Sequence, residues 1–91
     1  MKIYELMARY DARQSFYGKA KVIELPDKTA LKSYGTIVAV IKDGQPMVRG
    51  AYSQTTTRHI KEFLKQNGFW AETKKDIMKF LVDDETEFKL K

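Results

Sequence analysis

Cysteine is absent from this chain of 91 residues, and histidine occurs once, at His59. The absence of cysteine excludes disulfide bonds and thiolate metal sites, and it is typical of a reducing compartment. A single histidine also excludes a histidine-rich zinc site, which leaves only a carboxylate-rich metal site formally open. We therefore expect neither a metal nor another cofactor.

Long apolar runs are absent as well. The longest, TIVAVI at Thr36 to Ile41, has the length of a strand and falls far short of the roughly 18 residues of a membrane-spanning helix. The N-terminal residues mix charged with apolar side chains, so they lack the apolar core of a secretion signal. These absences predict a cytoplasmic protein that does not partner with a membrane.

The charge is positive and unevenly distributed. Residues 1–66 hold twelve Lys and Arg against six Asp and Glu, whereas residues 67–91 hold five against six. A basic body and a pI near 9.5 favour a polyanionic partner, nucleic acid first. We expect a single domain over residues 1–82 and a loose acidic C-terminal tail over residues 83–91.

Apolar spacing gives the first secondary-structure predictions. Ile3, Leu6, Met7 and Tyr10 have helical spacing, which predicts a short N-terminal helix. The segment SFYGKAKVIEL then changes to a period of two, which predicts a strand with one solvated, basic face. Its apolar or small face holds Phe16, Gly18, Ala20 and Val22, and its wetter face holds Tyr17, Lys19, Lys21 and Ile23.

Three more strands and two helices follow. TALKSY is a weaker strand, TIVAVI is apolar on both faces and suits a central strand or a well-covered inner strand, and PMVRGAY returns as its partner. Asp43-Gly44 predicts a type I′ hairpin between the last two, and Gly35 is expected to allow a bend or bulge. One helix is predicted from about Thr56 to Gln66, and another over TKKDIMKFLV, where Thr73 and Asp76 have the spacing of a weak capping box.

This succession of elements indicates the α+β class. The order is α-β-β-β-β-α-α, and we expect a small antiparallel sheet of three to four strands with helices packed on one face.

The stretch YSQTTTRHIKEFLKQNG, residues 52–68, contains the most patterned polar residues. His59 is a candidate general base that Glu62 would orient, which leaves a small nuclease or hydrolase as one alternative, although no catalytic motif surrounds it. A structural His59 at the core edge is the simpler interpretation. Thr55, Thr56 and Thr57 suit helix capping, and the competing interpretation is a weak anion or phosphate site completed by Arg58.

Basic and aromatic residues interleave on the predicted strands, as nucleic-acid surfaces require. The candidate binding residues are Tyr17, Lys19, Lys21, Lys32, Tyr34, Arg49, Arg58 and His59. A lysine-rich solvated face that protects a sheet edge is the alternative explanation.

Three stretches carry a family resemblance: YDARQSFYGKA (residues 10–20), LKSYGTIVAVI (residues 31–41) and YSQTTTRHIKEFLKQNG (residues 52–68). They resemble a group of small uncharacterised domains encoded by bacteriophages and other mobile elements, mainly of Gram-positive bacteria. A polar residue is usual in that group where Gly35 and Ile37 stand here. The resemblance implies a cytoplasmic accessory protein and no particular activity.

The leading hypothesis is a non-enzymatic module that binds nucleic acid through its basic sheet face. The alternative from another class is a protein-binding inhibitor of a host function such as a defence system. Sequestration of a nucleotide or phosphate at the threonine-rich helix start is a further alternative, and a homodimer is compatible with each of them.

Overall fold

The structure is a computed structural model, and it describes residues 1–11, 16, 18–50 and 53–89. Its strands are β1 (Lys2–Glu5), β2 (Ala20–Glu24), β3 (Lys28–Ser33), β4 (Thr36–Lys42) and β5 (Gln45–Val48). The helices α1 (Gln54–Gln66) and α2 (Lys74–Met78) follow, and a 3₁₀ helix (Glu85–Phe88) comes last. The α+β class is confirmed, but the sheet has five strands instead of three or four, and the order begins with a strand.

The sheet is an antiparallel meander in which β1 to β5 pair in chain order. Two of its hairpins have two-residue turns with positive φ at both positions: Tyr34 (51°) with Gly35 (89°), and Asp43 (52°) with Gly44 (74°). The second turn confirms the predicted hairpin, because this geometry matches strand twist and favours Asp-Gly. Gly35 belongs to a turn, whereas we expected it at a bend or bulge.

The predicted N-terminal helix is wrong. Residues 2–5 instead form β1, and Leu6 N–H continues the pairing by donating to Ala20 C=O at 2.9 Å. Ile3 and Met7 remain 56% and 55% exposed. A helix this short bears the full nucleation cost, whereas β1 gains cross-strand hydrogen bonds from the open edge of β2.

An irregularity in β4 determines which side chains face each side of the sheet. Leu31 pairs with Ala39, but the next residue, Lys32, pairs with Ile37, so Val38 is the extra residue. Val38 and Ala39 are both buried in the cluster beneath α1. Ile37 consequently lies on the opposite side, in line with Lys32 and Lys21.

The main core lies between the sheet and the two α-helices, as predicted. Ile60, Phe63 and Leu64 of α1 are at most 1% exposed. Ile77 of α2 joins the same cluster, and the predicted capping box of Thr73 with Asp76 is present. The helix α1 begins earlier than predicted, because Ser53 is its N-cap and accepts from the Thr56 N–H.

A second, smaller core lies on the opposite face of the sheet. Ile23, Ala30 and Val40 align in register there, and Phe88 of the 3₁₀ helix covers them. Phe88 is 5% exposed, in a segment that the sequence assigned to a loose tail. Residues 90 and 91 lie outside the described residues. Ile23, expected on a wet face, is buried because of this cover.

Backbone and side-chain contacts hold the C-terminal segment in place. Val48 N–H donates to Phe80 C=O at 2.8 Å, and Val82 N–H donates back to Val48 C=O at 3.0 Å. The Lys28 ammonium donates to Lys89 C=O at 2.6 Å. Among the helices of the described part, none has the length and apolar character needed to cross a membrane.

We expect Phe88→Ala to lower the free energy of unfolding by about 3 kcal/mol, because it removes the aromatic cover of the second core. Urea unfolding followed by circular dichroism measures this. Met7→Ala is the control, since Met7 is a large apolar residue that lies 55% exposed. Equal small effects for the two variants would mean that the C-terminal segment does not pack on the sheet.

Candidate functional site

Four of the candidate binding residues lie together at the uncovered end of the second sheet face. A shallow concavity of about 380 Å³ is lined by Gly18, Lys19, Lys21, Lys32, Tyr34 and Gly35, and we call it the lysine concavity. Lys21 and Lys32 are cross-strand partners on β2 and β3. Tyr17, the remaining aromatic candidate from this strand, lies outside the described residues.

Tyr34 forms the aromatic wall of the lysine concavity. Tyr34 is 56% exposed, and its N–H donates to Lys19 C=O at 2.9 Å, which ties the turn to the start of β2. The Lys19 ammonium lies 5.9 Å from the centre of the Tyr34 ring. The positive φ of Tyr34 is unusual for a large side chain, and such conformations concentrate at functional sites.

The lysine concavity is electrostatically one-sided. No carboxylate is among the six residues that line it. Glu5 lies beside Lys21 in the cross-strand register, and its carboxylate accepts from the Gly18 N–H at 3.0 Å, so this acid marks the rim at β1. Three ammonium groups in one concavity create a positive field that attracts anions.

His59 lies directly beneath Tyr34. It is 1% exposed, and its ring centre lies 5.6 Å from that of Tyr34 and 4.8 Å from that of Phe16. Its Nδ1 forms a 2.8 Å hydrogen bond with the buried Ser33 hydroxyl. His59 therefore supports the turn from inside and does not contribute a surface group.

Hydroxyl groups continue from His59 to the start of α1. Ser33 Oγ lies 3.2 Å from Thr56 Oγ1, and the Ser53 hydroxyl donates to Thr56 Oγ1 at 3.4 Å. The three hydrogen bonds of this hydroxyl chain form together if Ser53 donates to Thr56, Thr56 donates to Ser33 and Ser33 donates to His59. His59 Nδ1 is then the acceptor and the ring is neutral. Burial lowers the pKa of His59 below its usual 6.5, and the charge of Asp11 opposes that shift.

The predicted helix-start threonines separate in the structure. Thr56 is 6% exposed within the hydroxyl chain, whereas Thr55 is exposed and Thr57 is half-buried. Thr57 and Arg58 line a different depression with Lys61 and Lys74. Arg58 and the threonines are thus not part of the lysine concavity.

Glu62, the acid considered as a partner for His59, forms contacts elsewhere. It is 2% exposed and accepts from the Tyr10 N–H at 2.8 Å and from the Gln66 amide at 2.6 Å. These bonds attach the segment after β1 to α1. Glu62 and His59 therefore have separate structural roles in this geometry.

Arg49 lies on the other side of the Tyr34-Gly35 turn from the lysines. Its guanidinium pairs with Glu85 through Nε to Oε1 (3.0 Å), Nε to Oε2 (3.2 Å) and Nη2 to Oε1 (2.5 Å). It lines a second depression of about 350 Å³, which also includes Gly35, Phe88 and Lys89.

A separate aromatic pair is exposed near the end of α1. Trp70 is 65% exposed and meets Tyr10 edge-on, with ring centres 5.8 Å apart. The Lys65 ammonium lies 4.7 Å above the Trp70 ring and also pairs with Glu72. Tyr10 is distant in the chain from Lys65, Trp70 and Glu72, so spacing along the sequence does not bring them together; the Phe69-Trp70 dipeptide is the available signal in the sequence.

Ser33 was also missed as a functional partner. Its position two residues after Leu31 in β3 places it on the core side, where a buried hydroxyl needs a partner. Within the described part of the chain, every buried side-chain nitrogen or oxygen has such a partner, and no group of three acids or histidines could hold a metal.

These features define a class: a small α+β domain with an antiparallel meander sheet, covered by helices on one face and partly open and basic on the other. A family model matches residues 4–79, so the chain belongs to a family of unknown function, DUF8033. Neither the curated proteins nor the solved structures gave a match.

We expect the stability of the fold to depend on pH through His59. Because its folded pKa lies below the unfolded value of 6.5, the unfolded chain takes up a proton first as the pH falls. The stabilisation is complete above the unfolded pKa and is lost progressively below it, toward the folded pKa. Thermal unfolding between about pH 7.5 and pH 5.5, the range in which histidine titrates, measures the effect.

The comparison variant is His59→Asn, which places a side-chain amide near the position of Nδ1 but cannot titrate. It should be less stable at high pH and should show a flatter pH dependence over this interval. Parallel pH profiles for the two proteins would contradict a buried neutral His59.

Proposed function

We propose that this protein is a non-enzymatic module that binds single-stranded nucleic acid through the lysine concavity. The observation that carries the proposal is the convergence of Lys19, Lys21, Lys32 and Tyr34 on one concavity that is lined by no carboxylate. Lysine ammonium groups contact phosphates as point charges, and an exposed aromatic ring offers a stacking surface for a base.

The preference for single strands follows from Tyr34. Tyr34 stands at a hairpin turn and is 56% exposed, and its ring can stack only on a base that is not already paired in a duplex. Because lysines contact phosphates without reading base edges, we expect little sequence specificity.

The rigidity of the support favours this function. Tyr34 rests on the ring of His59, which the Ser33 hydroxyl holds in turn, so the stacking ring is placed by buried groups. A supported ring loses less conformational entropy on binding than a mobile one.

We expect wild-type protein to bind a fluorescent oligothymidylate at low salt, with an affinity that falls steeply as salt is added. Replacing Lys19, Lys21 and Lys32 together by Ala should reduce the slope of log affinity against log salt by about 0.7 for each phosphate that the variant no longer neutralises. Tyr34→Leu should weaken binding roughly 5- to 150-fold, corresponding to about 1–3 kcal/mol per stacked base, with a smaller change in slope. Fluorescence anisotropy measures both.

The matched control replaces Lys74, Lys75 and Lys79 by Ala, which removes the same charge from α2 and the residue after it. If both triple variants weaken binding equally, the effect is one of net charge alone and the lysine concavity is not the site. No binding by the wild type at low salt would contradict the proposed function.

A second candidate function is binding to a host protein, as an accessory protein of a bacteriophage or other mobile element. Trp70 favours it, because tryptophan is enriched at the energetic centres of protein interfaces and here it is 65% exposed. Its pairing with Tyr10 and Lys65 gives the surface a defined shape.

We expect Trp70→Ala to abolish capture of a specific protein from host lysate after nuclease treatment, because it removes the exposed anchor. The Lys19, Lys21, Lys32 triple variant is the control and should capture that protein normally. Capture that depends on the lysines and disappears with nuclease would instead support the nucleic-acid proposal.

A further inference from the structure

The second depression lies next to the lysine concavity and has a different charge pattern. We call it the arginine notch, and it is lined by Gly35, Thr36, Ile37, Arg49, Glu85, Phe88 and Lys89. Gly35 lines both depressions, so they meet at the Tyr34-Gly35 turn. The arginine notch contains two cationic residues, but its acid, Glu85, is paired with Arg49.

We propose that Arg49 is a second phosphate subsite for the bound strand, and that Glu85 occupies it in the free protein. This inference rests on the proposed function of the lysine concavity. It adds a particular residue, a ligand group (a phosphodiester of single-stranded nucleic acid) and an acidic competitor carried by the same chain.

The geometry of the Arg49–Glu85 pair supports the first part. Both Glu85 oxygens accept from the guanidinium, and this planar two-point arrangement is the one that arginine uses for phosphate as well as for carboxylate. A phosphate group can therefore replace the Glu85 carboxylate, because its oxygens accept the same hydrogen bonds from the guanidinium.

The exposure of the pair supports the second part. The Arg49 side chain is 34% exposed and that of Glu85 is 58% exposed, so water reaches both partners. Solvent screens an ion pair this exposed, so an anionic ligand can reach the guanidinium and compete with Glu85 for it. The 3₁₀ helix is anchored independently by buried Phe88 and by the bond from Lys28 to Lys89 C=O, so Glu85 can release Arg49 while the segment stays in place.

The surface between the two depressions is open. Apart from its two chain neighbours, no residue lies within 4 Å of where a Cβ atom of Gly35 would stand, so there is open space on that side of the turn where the depressions join. A strand can therefore pass from the lysine concavity over Gly35 to Arg49.

The test is the binding of oligothymidylate by Glu85→Gln, which removes the charge and keeps the size of the side chain. We expect a several-fold increase in affinity at low salt and a salt slope steeper by about 0.7, the value for one additional neutralised phosphate. Adding Arg49→Gln to this variant should abolish both effects. Thermal unfolding of each variant confirms that it is folded.

The matched control is Glu87→Gln. It removes an equal charge from the same 3₁₀ helix and leaves the Arg49–Glu85 pair intact. If the wild type binds, and Glu85→Gln and Glu87→Gln bind with the same affinity and salt slope as each other, the second subsite is overturned. The proposal for the lysine concavity then still stands. A loss of affinity in Glu85→Gln would also overturn the second subsite, because Glu85 would then position Arg49 for binding and would not compete with the ligand. No binding by any of the proteins would overturn both proposals.

Discussion

The contact between α1 and β3 is the interaction on which the site depends. Apolar side chains of α1 bury the helix on the sheet, and the hydrogen bond from Ser33 to His59 fixes how the helix meets the end of β3. That end leads directly into the turn that presents Tyr34. A polar bond buried under the turn is costly to break, because His59 Nδ1 would lose its Ser33 partner away from water.

The two faces of the sheet are covered by unequal layers, and the functional surface follows from the difference. The α-helices close one face, whereas a single 3₁₀ helix covers only the half of the other face that contains Ile23, Ala30 and Val40. The uncovered half holds Lys21 and Lys32. The extra residue Val38 shifts the alternation in the inner strand β4, so that Val38 joins Ala39 in the main core and Ile37 joins Val40 on the second face.

Predictions from local chemistry were reliable. The Asp43-Gly44 hairpin and the Thr73 capping box are specified by a few adjacent residues whose backbone geometry the side chains themselves favour. The N-terminal helix failed because its competitor was non-local: the residues that stabilise β1 belong to β2, about twenty positions later. The cover by Phe88 is non-local in the same way.

For the site, the period of two in the predicted strand that contains β2 was enough to place Lys19 and Lys21 with the solvated residues. The pairing of β2 with β3 then brought Lys32, and Tyr34 in the following turn, to them. The same spacing could not place Arg49, because it pairs with Glu85, 36 positions further along the chain. It also left both interpretations of His59 open, because the burial of that ring depends on Tyr34 and Phe16 from other elements.

The sequence by itself determined the α+β class, the two α-helices, an inner strand apolar on both faces and a basic surface, because each follows from spacing or from charge. Only the tertiary structure decided that the lysines and Tyr34 share one concavity, that His59 is an internal support, and that Glu85 faces Arg49. The physical reason is that hydrophobic burial fixes which distant segments meet, and the charges on those segments interact only at the short distances that burial creates.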